Sequence, residues 1–272
     1  MGMSVKDVEL LIRLKEDGHI PTRAAVIEIG AQQLSNSVLR AKGEVEKLGQ
    51  LFGVHSAPPL SAPVPTVVEP SGYERLSPES PLARDLWTWL GFSYASIDID
   101  GSPGAIALDL NFDDVPDVLA GKHQLVTNFG TTEHVVNQLN AFKIVHDLAA
   151  PGGVMMHNLP SQGGFNHGLI NYTPKFFWAL ARSNNYRWLH FGFSPDPTMH
   201  LLPDNVIASV RPFSPEIGDA AATYRFAECS IAVAFQKRGD APYVPPIDVP
   251  TGTVSRVKEM LARYWSVLKH GS

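Results

Sequence analysis

The chain has 272 residues, of which 44% are hydrophobic and 18% are charged, and its formal net charge is −5 at pH 7. This length suits one large α/β domain, and the acidic balance argues against nucleic acid or an anionic membrane as a partner. The single cysteine, Cys229, has no second cysteine with which to form an internal disulfide. No apolar run is long enough to predict a membrane span, and the first residues lack the apolar core of a signal peptide, so we expect a cytoplasmic protein.

The first third of the chain predicts helices around one short strand. A helix with an apolar stripe is expected at 5–16, within an N-terminal helical segment at 1–22, and a strand at 24–30. A second helix is expected at 35–51. Residues 53–81 are rich in Pro and Ser and cannot form regular structure, so they predict an insertion that is either disordered or a lid within a single domain.

Strands and helices alternate more regularly after this insertion. Strands are predicted at 94–100, 105–110, 123–129, 154–160, 187–193 and 228–239, and helices at 81–92, 133–149, 173–186 and 253–268. This alternation predicts an α/β fold with a mostly parallel sheet covered by helices on both faces. In open sheets of this kind, ligands bind beyond the carboxyl ends of the strands.

Polar or small residues lie at the carboxyl end of each of the four strands predicted between residues 24 and 129. They are Glu28 and Gly30, then Asp98 or Asp100, then Asp109, and then residues 128–134. An acid at the end of a buried strand is costly unless another group hydrogen-bonds to it. The two oxygens of a carboxylate after the second strand suit the paired hydroxyls of a ribose.

Five segments occur in an order that resembles the S-adenosylmethionine-dependent methyltransferases of the Rossmann-like, or class I, type. The segments are VIEIGAQ, SIDID, LDLN, LVTNFGTTEHV and LAAPGGVMMHNLP, and the likeness spans residues 26–238. The resemblance implies a mostly parallel central sheet with helices on both faces and an antiparallel last strand. It also implies S-adenosylmethionine as the cofactor.

The resemblance assigns cofactor contacts residue by residue. Glu28 and Gly30 match the motif beside the methionine part, Asp98 matches the ribose acid, and Asp109 matches the acid near the adenine amine. The full set that the resemblance implies is Glu28, Gly30, Gln32, Asp98, Asp109, Asn128, Phe129, Gly130 and His134. The turn of Pro151, Gly152 and Gly153 also fits the family.

Three departures from the family pattern affect this assignment, and one is the unusually long gap between the first and second motifs that the Pro- and Ser-rich stretch creates. The second glycine of the first motif is missing, and Gln32 could either crowd the ligand or contact it. The short link between Asp98 and Asp109 leaves no room for the usual helix and predicts a reduced sheet edge. A plainer interpretation also exists for residues 131–133, where Thr131 or Thr132 is an N-cap and Glu133 simply favours the first turn of a helix.

A second polar cluster follows the fifth predicted strand and in the family faces the acceptor substrate. We expect His167 to be the general base, with His157 as the second choice, because histidine suits proton removal near neutral pH. The expected acceptor contacts are Asn158, Gln162, Asn166, Asn171 and Tyr172. The alternative is that both histidines only brace the loop by hydrogen bonds. No zinc motif with short ligand spacing is present, and a divalent ion held by Asp or Glu stays open.

These observations predict transfer of a methyl group to an oxygen or nitrogen atom of a polar small molecule, such as a sugar or a secondary metabolite. The expected partner is that small molecule, with no nucleic acid and no membrane, and a homo-oligomer is compatible with the sequence. Two alternatives are a methyltransferase-like binding protein without turnover and an enzyme that acts on a peptide or protein. A nicotinamide-dependent oxidoreductase ranks lower because the first loop lacks G-x-G-x-x-G.

Overall fold

The computed structural model describes residues 2–65, 67–68, 74–162, 168–195 and 229–248. In this part the helices are α1 (Val5–Glu16), α2 (Asn36–Arg40), α3 (Lys42–Leu51), α4 (Ala83–Trp89), α5 (Gln138–Leu148) and α6 (Pro174–Ser183). The strands are β1 (Ala25–Ile29), β2 (Val67–Val68), β3 (Glu74–Arg75), β4 (Ser93–Ile97), β5 (His123–Phe129), β6 (Ala149–Gln162), β7 (Arg187–Pro195) and β8 (Cys229–Gln236). The predicted helix at 253–268 and the candidate residues Asn166 and His167 lie outside the described residues.

Six of the described strands form one sheet in the order β4-β1-β5-β6-β8-β7. The neighbours β4, β1, β5 and β6 run parallel, whereas β8 runs antiparallel to both β6 and β7. The last strand of the described residues, β8, is therefore inserted antiparallel between two strands that share one direction. This arrangement confirms the predicted Rossmann-like methyltransferase fold.

Two hydrophobic cores cover the two faces of the sheet. Because successive side chains of a strand point to opposite faces, Val26 packs into one core and Ile27 into the other. The first core is closed by α1, α3 and α4, and the second by α5 and α6. No helix in the described part of the chain combines the length and the apolar character needed to cross a membrane.

The predicted strand at 105–110 forms only one parallel bridge, between Ile106 and Ile97. The Asp98 amide donates to the Ile106 carbonyl at 3.0 Å, and the Ile106 amide donates to the Ser96 carbonyl at 2.8 Å. The link after β4 contains two glycines with positive φ, Gly101 at 80° and Gly104 at 82°. The chain therefore turns back at once and leaves the reduced sheet edge that the short spacing predicted.

The helix predicted from residue 133 begins later, at Gln138. Thr132–His134 form a separate 3-10 turn, and the Asn137 side chain caps α5 by accepting from the Asn140 amide at 3.2 Å. The prediction that Thr131 or Thr132 caps this helix is wrong, because Asn137 offers the first side-chain oxygen directly before the apolar stripe of the helix.

The described parts of the insertion at 53–81 contact the loop that follows β1. The Asn36 side chain exchanges two hydrogen bonds with the Val64 main chain, at 2.8 and 3.0 Å. The Gln33 amide group donates to the carbonyls of Ser77 and Ser80, both at 3.1 Å. Between these two anchors, β2 and β3 pair as an antiparallel hairpin.

Candidate functional site

The ends of β1 and β4 are joined directly by hydrogen bonds. The Gly30 amide donates to the Ile97 carbonyl at 2.8 Å, and the next amide, that of Ala31, donates to Asp98 Oδ2 at 2.9 Å. Gly30 has φ of 79°, in the left-handed region that favours glycine. The loop after β1 therefore turns sharply and places its main chain against the carboxylate of Asp98.

The carboxylate of Asp98 retains acceptor capacity on both oxygens. Oδ2 accepts from Ala31, and Oδ1 accepts from the Asp100 amide at 3.2 Å. An ionised carboxylate offers about four acceptor positions, two on each oxygen. The Asp100 side chain also contacts this carboxylate, and because the Asp98 side chain is only half-buried, donors can still approach it from the solvent side.

Asp109 lies on the same edge of the sheet, in a turn that is fixed to the start of α5. Its Oδ1 accepts from the main-chain amide of Asn111 at 2.8 Å and from the Asn111 side chain at 3.1 Å. Asn137 in turn bonds to the side-chain oxygen and to the carbonyl of Asn111, at 3.1 and 2.7 Å. The bridge at Ile106, three residues earlier, places this turn next to the end of β4.

The segment after β5 completes this edge. Thr131 Oγ1 donates to the Ile29 carbonyl at 2.7 Å, and a Cβ atom on Gly30 would collide with the Thr131 side chain. His134, with 47% of its side chain exposed, lies three residues further on. We define the rim as the accessible groups gathered here, namely Ala31, Asp98, Asp109, Thr131 and His134. Sequence reasoning missed Ala31 and Thr131, since the first acts through its main chain and the second has the pattern of a helix cap.

Three predicted cofactor residues lie below the rim. Gln32 is 1% exposed, and its side chain contacts the carbonyl of Thr127 at 3.2 Å and the hydroxyl of Thr127 at 3.3 Å. Asn128 is fully buried and bonds to Thr132, and Phe129 is 1% exposed within the first core. In this arrangement the three side chains are buried and bond or pack within the protein, and their contacts with a cofactor stay a prediction. Gly130 is buried as well, with φ of 82°.

His157 lies in an aromatic part of the second core rather than in a cleft. Its ring packs near those of Phe142, Phe177 and Phe235, and its Nδ1 accepts from Asn128 Nδ2 at 3.2 Å. Burial lowers the pKa of His157 to about 3. A group with 1% exposure and this pKa does not suit the role of general base that was predicted for it as second choice.

The candidate acceptor residues are in three different environments. Tyr172 is 2% exposed, and its hydroxyl contacts Gln138 Oε1 at 2.5 Å and Thr132 Oγ1 at 3.0 Å, so it is a core residue. Gln162 and Asn171 are exposed. Asn158 is half-buried and donates to Asp7 Oδ1 at 2.9 Å. Among the described members of this set, Gln162 and Asn171 are therefore the ones at the surface.

Residues 168–170 rest on the turn that follows β5. The amides of Leu169 and Ile170 donate to the Glu133 carbonyl at 2.7 and 3.1 Å. A Cβ atom on Gly168, whose φ is 70°, would lie 2.9 Å from Glu133 Cγ. The chain that leaves the segment with Asn166 and His167 is therefore held next to the rim.

A cavity of about 540 Å³ lies at the opposite end of the sheet, between α5 and the residues after β8. Four of its charged side chains, Asp114, Lys143, Asp147 and Lys237, already have partners. Lys143 Nζ lies 2.7 Å from Asp114 and 3.1 Å from Asp147, and Lys237 donates to the carbonyls of His146 and Ala149. These contacts stabilise the end of α5, so we place the candidate site at the rim. Within the described ranges, no group of three or more His, Cys, Asp or Glu residues could hold a metal ion.

No protein-family model matches the sequence, and no curated protein matches it. Solved structures of S-adenosylmethionine-dependent methyltransferases resemble the chain in fold. One is the 1,6-didemethyltoxoflavin-N1-methyltransferase of Burkholderia thailandensis, with 12% identity, a TM-score of 0.41 and coverage of 85% of this chain and 80% of that chain.

Two further structures give similar values. A methyltransferase of Archaeoglobus fulgidus has 11% identity and a TM-score of 0.42, and covers 85% of this chain and 94% of its own. The geranyl diphosphate C-methyltransferase of Streptomyces coelicolor A3(2) has 12% identity and a TM-score of 0.40, with 86% and 77% covered. Identity and superposition at this level assign neither an activity nor a site residue to this chain.

Proposed function

We propose that this protein transfers a methyl group from S-adenosylmethionine to an oxygen or nitrogen atom of a polar small molecule, such as a sugar or a secondary metabolite. The observation that carries the proposal is the carboxylate of Asp98. It lies at the carboxyl edge of a parallel sheet, is fixed by the Ala31 amide at 2.9 Å, and stays half-exposed, with acceptor capacity beyond the bonds from the Ala31 and Asp100 amides. Two adjacent hydroxyls of a ribose supply the matching pair of donors.

The remaining rim residues fit the other parts of such a cofactor. Asp109 uses Oδ1 for Asn111, and its second oxygen is suited to accept from an adenine amine. The main chain at 30–31 and His134 flank the space beyond β1 and β5. When bound, the cofactor supplies a methyl group on a positively charged sulfur, and a rim with two carboxylates favours that charge.

The acceptor would lie beyond β5 and β6, where Gln162 and Asn171 are exposed and Asn158 is fixed by Asp7. Positioning of the accepting atom contributes much of the rate in such a transfer. A general base that removes the proton of the accepting atom adds a further, separate contribution to the rate. His167 stays our candidate for this base.

A matched pair of acids tests the cofactor site. Asp98→Asn removes the charge that the two ribose hydroxyls would contact, so we expect affinity for S-adenosylhomocysteine to fall at least about tenfold, since hydrogen bonds to a charged group contribute about 1.5–3 kcal/mol. Asp100→Asn makes the same chemical change two residues away, on an exposed acid that holds Ser102 and contacts Asp98 but does not accept from the Ala31 amide. Calorimetry on both variants checks this. Equal affinities in the two variants, or no binding by the unmodified protein, would contradict the proposal.

Turnover requires a separate measurement, because binding without turnover is the second candidate function. The core position of His157 and the buried Gln32 in place of the second glycine favour that candidate. Labelled S-adenosylmethionine offered with a panel of sugars, hydroxylated aromatics, amines and short peptides separates the cases. Label transfer to a polar small molecule supports the proposal, and transfer to peptides alone supports a peptide acceptor. No transfer to any member, with S-adenosylhomocysteine still bound, supports a binding protein.

A further inference from the structure

Glu28 is a fully buried carboxylate whose two oxygens are both occupied by protein donors. The indole Nε1 of Trp87 donates to Oε1 at 2.7 Å. The hydroxyl of Tyr94 and the main-chain amide of Gln32 donate to Oε2, at 2.8 and 3.0 Å. The residue was predicted to contact the cofactor itself, but these contacts place it behind the rim.

The three donors differ in what they can do when the carboxylate gains a proton. An indole N–H and a main-chain N–H can only donate, whereas a tyrosine hydroxyl can also accept. A protonated Glu28 can therefore donate only toward Tyr94, which must then turn its own hydrogen elsewhere. Protonation thus removes one accepted bond from Oε2, the oxygen that also holds the Gln32 amide, and weakens the other because it is no longer charge-assisted.

The Gln32 amide belongs to the loop that forms the rim. Its neighbour, the Ala31 amide, is bound by Asp98 from the accessible side at 2.9 Å. Two carboxylates therefore hold consecutive amides of one loop, with Glu28 below the loop and Asp98 above it. A single peptide unit joins the two amides. If the bond between Glu28 and the Gln32 amide changes, the position of the Ala31 amide relative to Asp98 changes with it.

We infer that Glu28 is a positioning residue that makes the loop at 30–34 sensitive to protons, because its charged carboxylate fixes the Gln32 amide and its protonated form releases it. In the charged form the loop is held in the arrangement that presents Ala31 and Asp98 together. The consequence for cofactor affinity rests on the proposed function, and the consequence for the loop does not.

The surroundings of Glu28 bring the pKa of its carboxyl group close to neutral pH. Burial raises the pKa of Glu28 to about 7, although the bonds from Trp87, Tyr94 and Gln32 act in the opposite direction. Burial and the nearby Glu28 raise the pKa of Tyr94, so it stays neutral, and Arg84 on α4 acts on Tyr94 as a permanent cation. The other groups that bond to this pair carry no charge: the Trp87 indole and the Gln32 main-chain amide bond to Glu28, and Ser96 bonds to Tyr94.

Nuclear magnetic resonance on the cofactor-free protein tests the loop. We expect the Trp87 indole signal and the Gln32 amide signal to move together between about pH 5.5 and pH 8.5, with a midpoint near pH 7. Trp87→Phe identifies the indole signal, and Glu28→Gln abolishes the titration. Tyr94→Phe removes a donor that favours the charged form, so it moves the midpoint to higher pH. A merely structural role for Glu28 predicts no such shift, and Tyr94→Phe decides the matter if Glu28→Gln does not fold.

Calorimetry with S-adenosylhomocysteine at about pH 6 and pH 8 tests the coupling to the cofactor. The charged fraction of Glu28 falls from about nine-tenths to about one-tenth between these values, so affinity is up to about tenfold weaker at pH 6. Glu28→Gln shows no difference between the two conditions.

Each outcome has a distinct meaning. Static Trp87 and Gln32 signals across the range overturn the inference. Moving signals with unchanged affinity at both pH values overturn the link to the cofactor. Moving signals with no binding at either pH value support the effect on the loop and overturn the proposed function.

Discussion

At the residue scale, two buried ionisable side chains give stability opposite dependences on pH. The pKa of Glu28 is raised by burial to about 7, so its contribution is complete below the ordinary value of 4.5 and is lost as the pH rises through 7. The pKa of His157 is lowered by burial to about 3, so its contribution is complete above the ordinary value of 6.5 and is lost as the pH falls toward 3. Together they favour maximum stability in mildly acidic to neutral solution.

His157→Phe tests the second of these effects. At pH 7 we expect the variant to be less stable by about 1–2 kcal/mol, because Asn128 loses an acceptor inside a core that otherwise suits a phenyl ring. At pH 5 the unfolded wild-type chain is protonated at this residue, which lowers wild-type stability by about 2 kcal/mol and removes the deficit of the variant. Urea unfolding at both pH values measures this. A deficit of equal size at pH 5 would show that His157 is not a buried neutral group.

The sequence predicted strand-end residues better than it predicted side-chain directions. Gly30, Asp98 and Asp109 were placed at strand ends by pattern alone, and the structure brings these ends to one edge. The directions of Asn128 and Phe129 were not predictable in this way. Both faces of β5 are covered by helices, so the strand lacks the alternation of polar and apolar residues that would show which side chain faces which core.

At the element scale, α3 packs closely enough against α4 to require a glycine. A Cβ atom on Gly49 would collide with the ring of Trp89, whereas one on Gly43, in the first turn of the same helix, would meet nothing within 4 Å. Glycine has a low helix propensity. Close packing against Trp89 accounts for it at position 49, and no such contact accounts for it at position 43.

Gly49→Ala and Gly43→Ala form a matched pair that tests this packing. We expect Gly49→Ala to lower the free energy of unfolding by about 1–3 kcal/mol, because the partly buried Trp89 ring must shift and its bond to Ser56 at 2.9 Å is disturbed. Gly43→Ala should raise it by up to about 1 kcal/mol, because alanine restricts the unfolded chain. Thermal unfolding of both variants gives the comparison, and a stabilised Gly49→Ala would refute the close contact.

Long periodic elements were predictable from the sequence, and the breaks between elements were not. The predicted helix at 5–16 agrees with α1, and the strand at 123–129 agrees with β5. The single helix predicted at 35–51 is divided into α2 and α3 at Ala41, whose φ of −93° and ψ of 51° are not helical. The same apolar stripe continues on both sides of this break, so the periodicity gave no sign of it.

At the scale of the whole molecule, one side-chain pair connects the first helix, α1, to strand β6 of the sheet. Asp7 is 2% exposed, accepts from Asn158 at 2.9 Å, and also accepts from the amide and hydroxyl of Ser4 at 2.7 and 2.6 Å. The pattern of the helix predicts a plain capping acid at this position. The contact 151 positions away is a property of the tertiary fold and has no local signature.

A double-mutant cycle on Asp7→Ala and Asn158→Ala measures this connection. We expect a coupling energy of about 1 kcal/mol or more, because each single change leaves a buried or half-buried polar partner unsatisfied. Ser4→Ala is the control, since it weakens the helix cap and leaves the contact with Asn158 in place. Strictly additive effects of the two alanine substitutions in urea unfolding would mean that the pair does not join the two parts.

The two anchors of the insertion lie three residues apart, Gln33 in the loop after β1 holding Ser77 and Ser80, and Asn36 at the start of α2 holding Val64. The chain at 65–76 thus departs from one place and returns to it. The entropy of closing such an excursion grows only slowly with its length. Adding or removing residues between the anchors should therefore cost little stability. The geometry of Gly30 and Asp98 would stay the same, because both anchors lie outside the part that changes length.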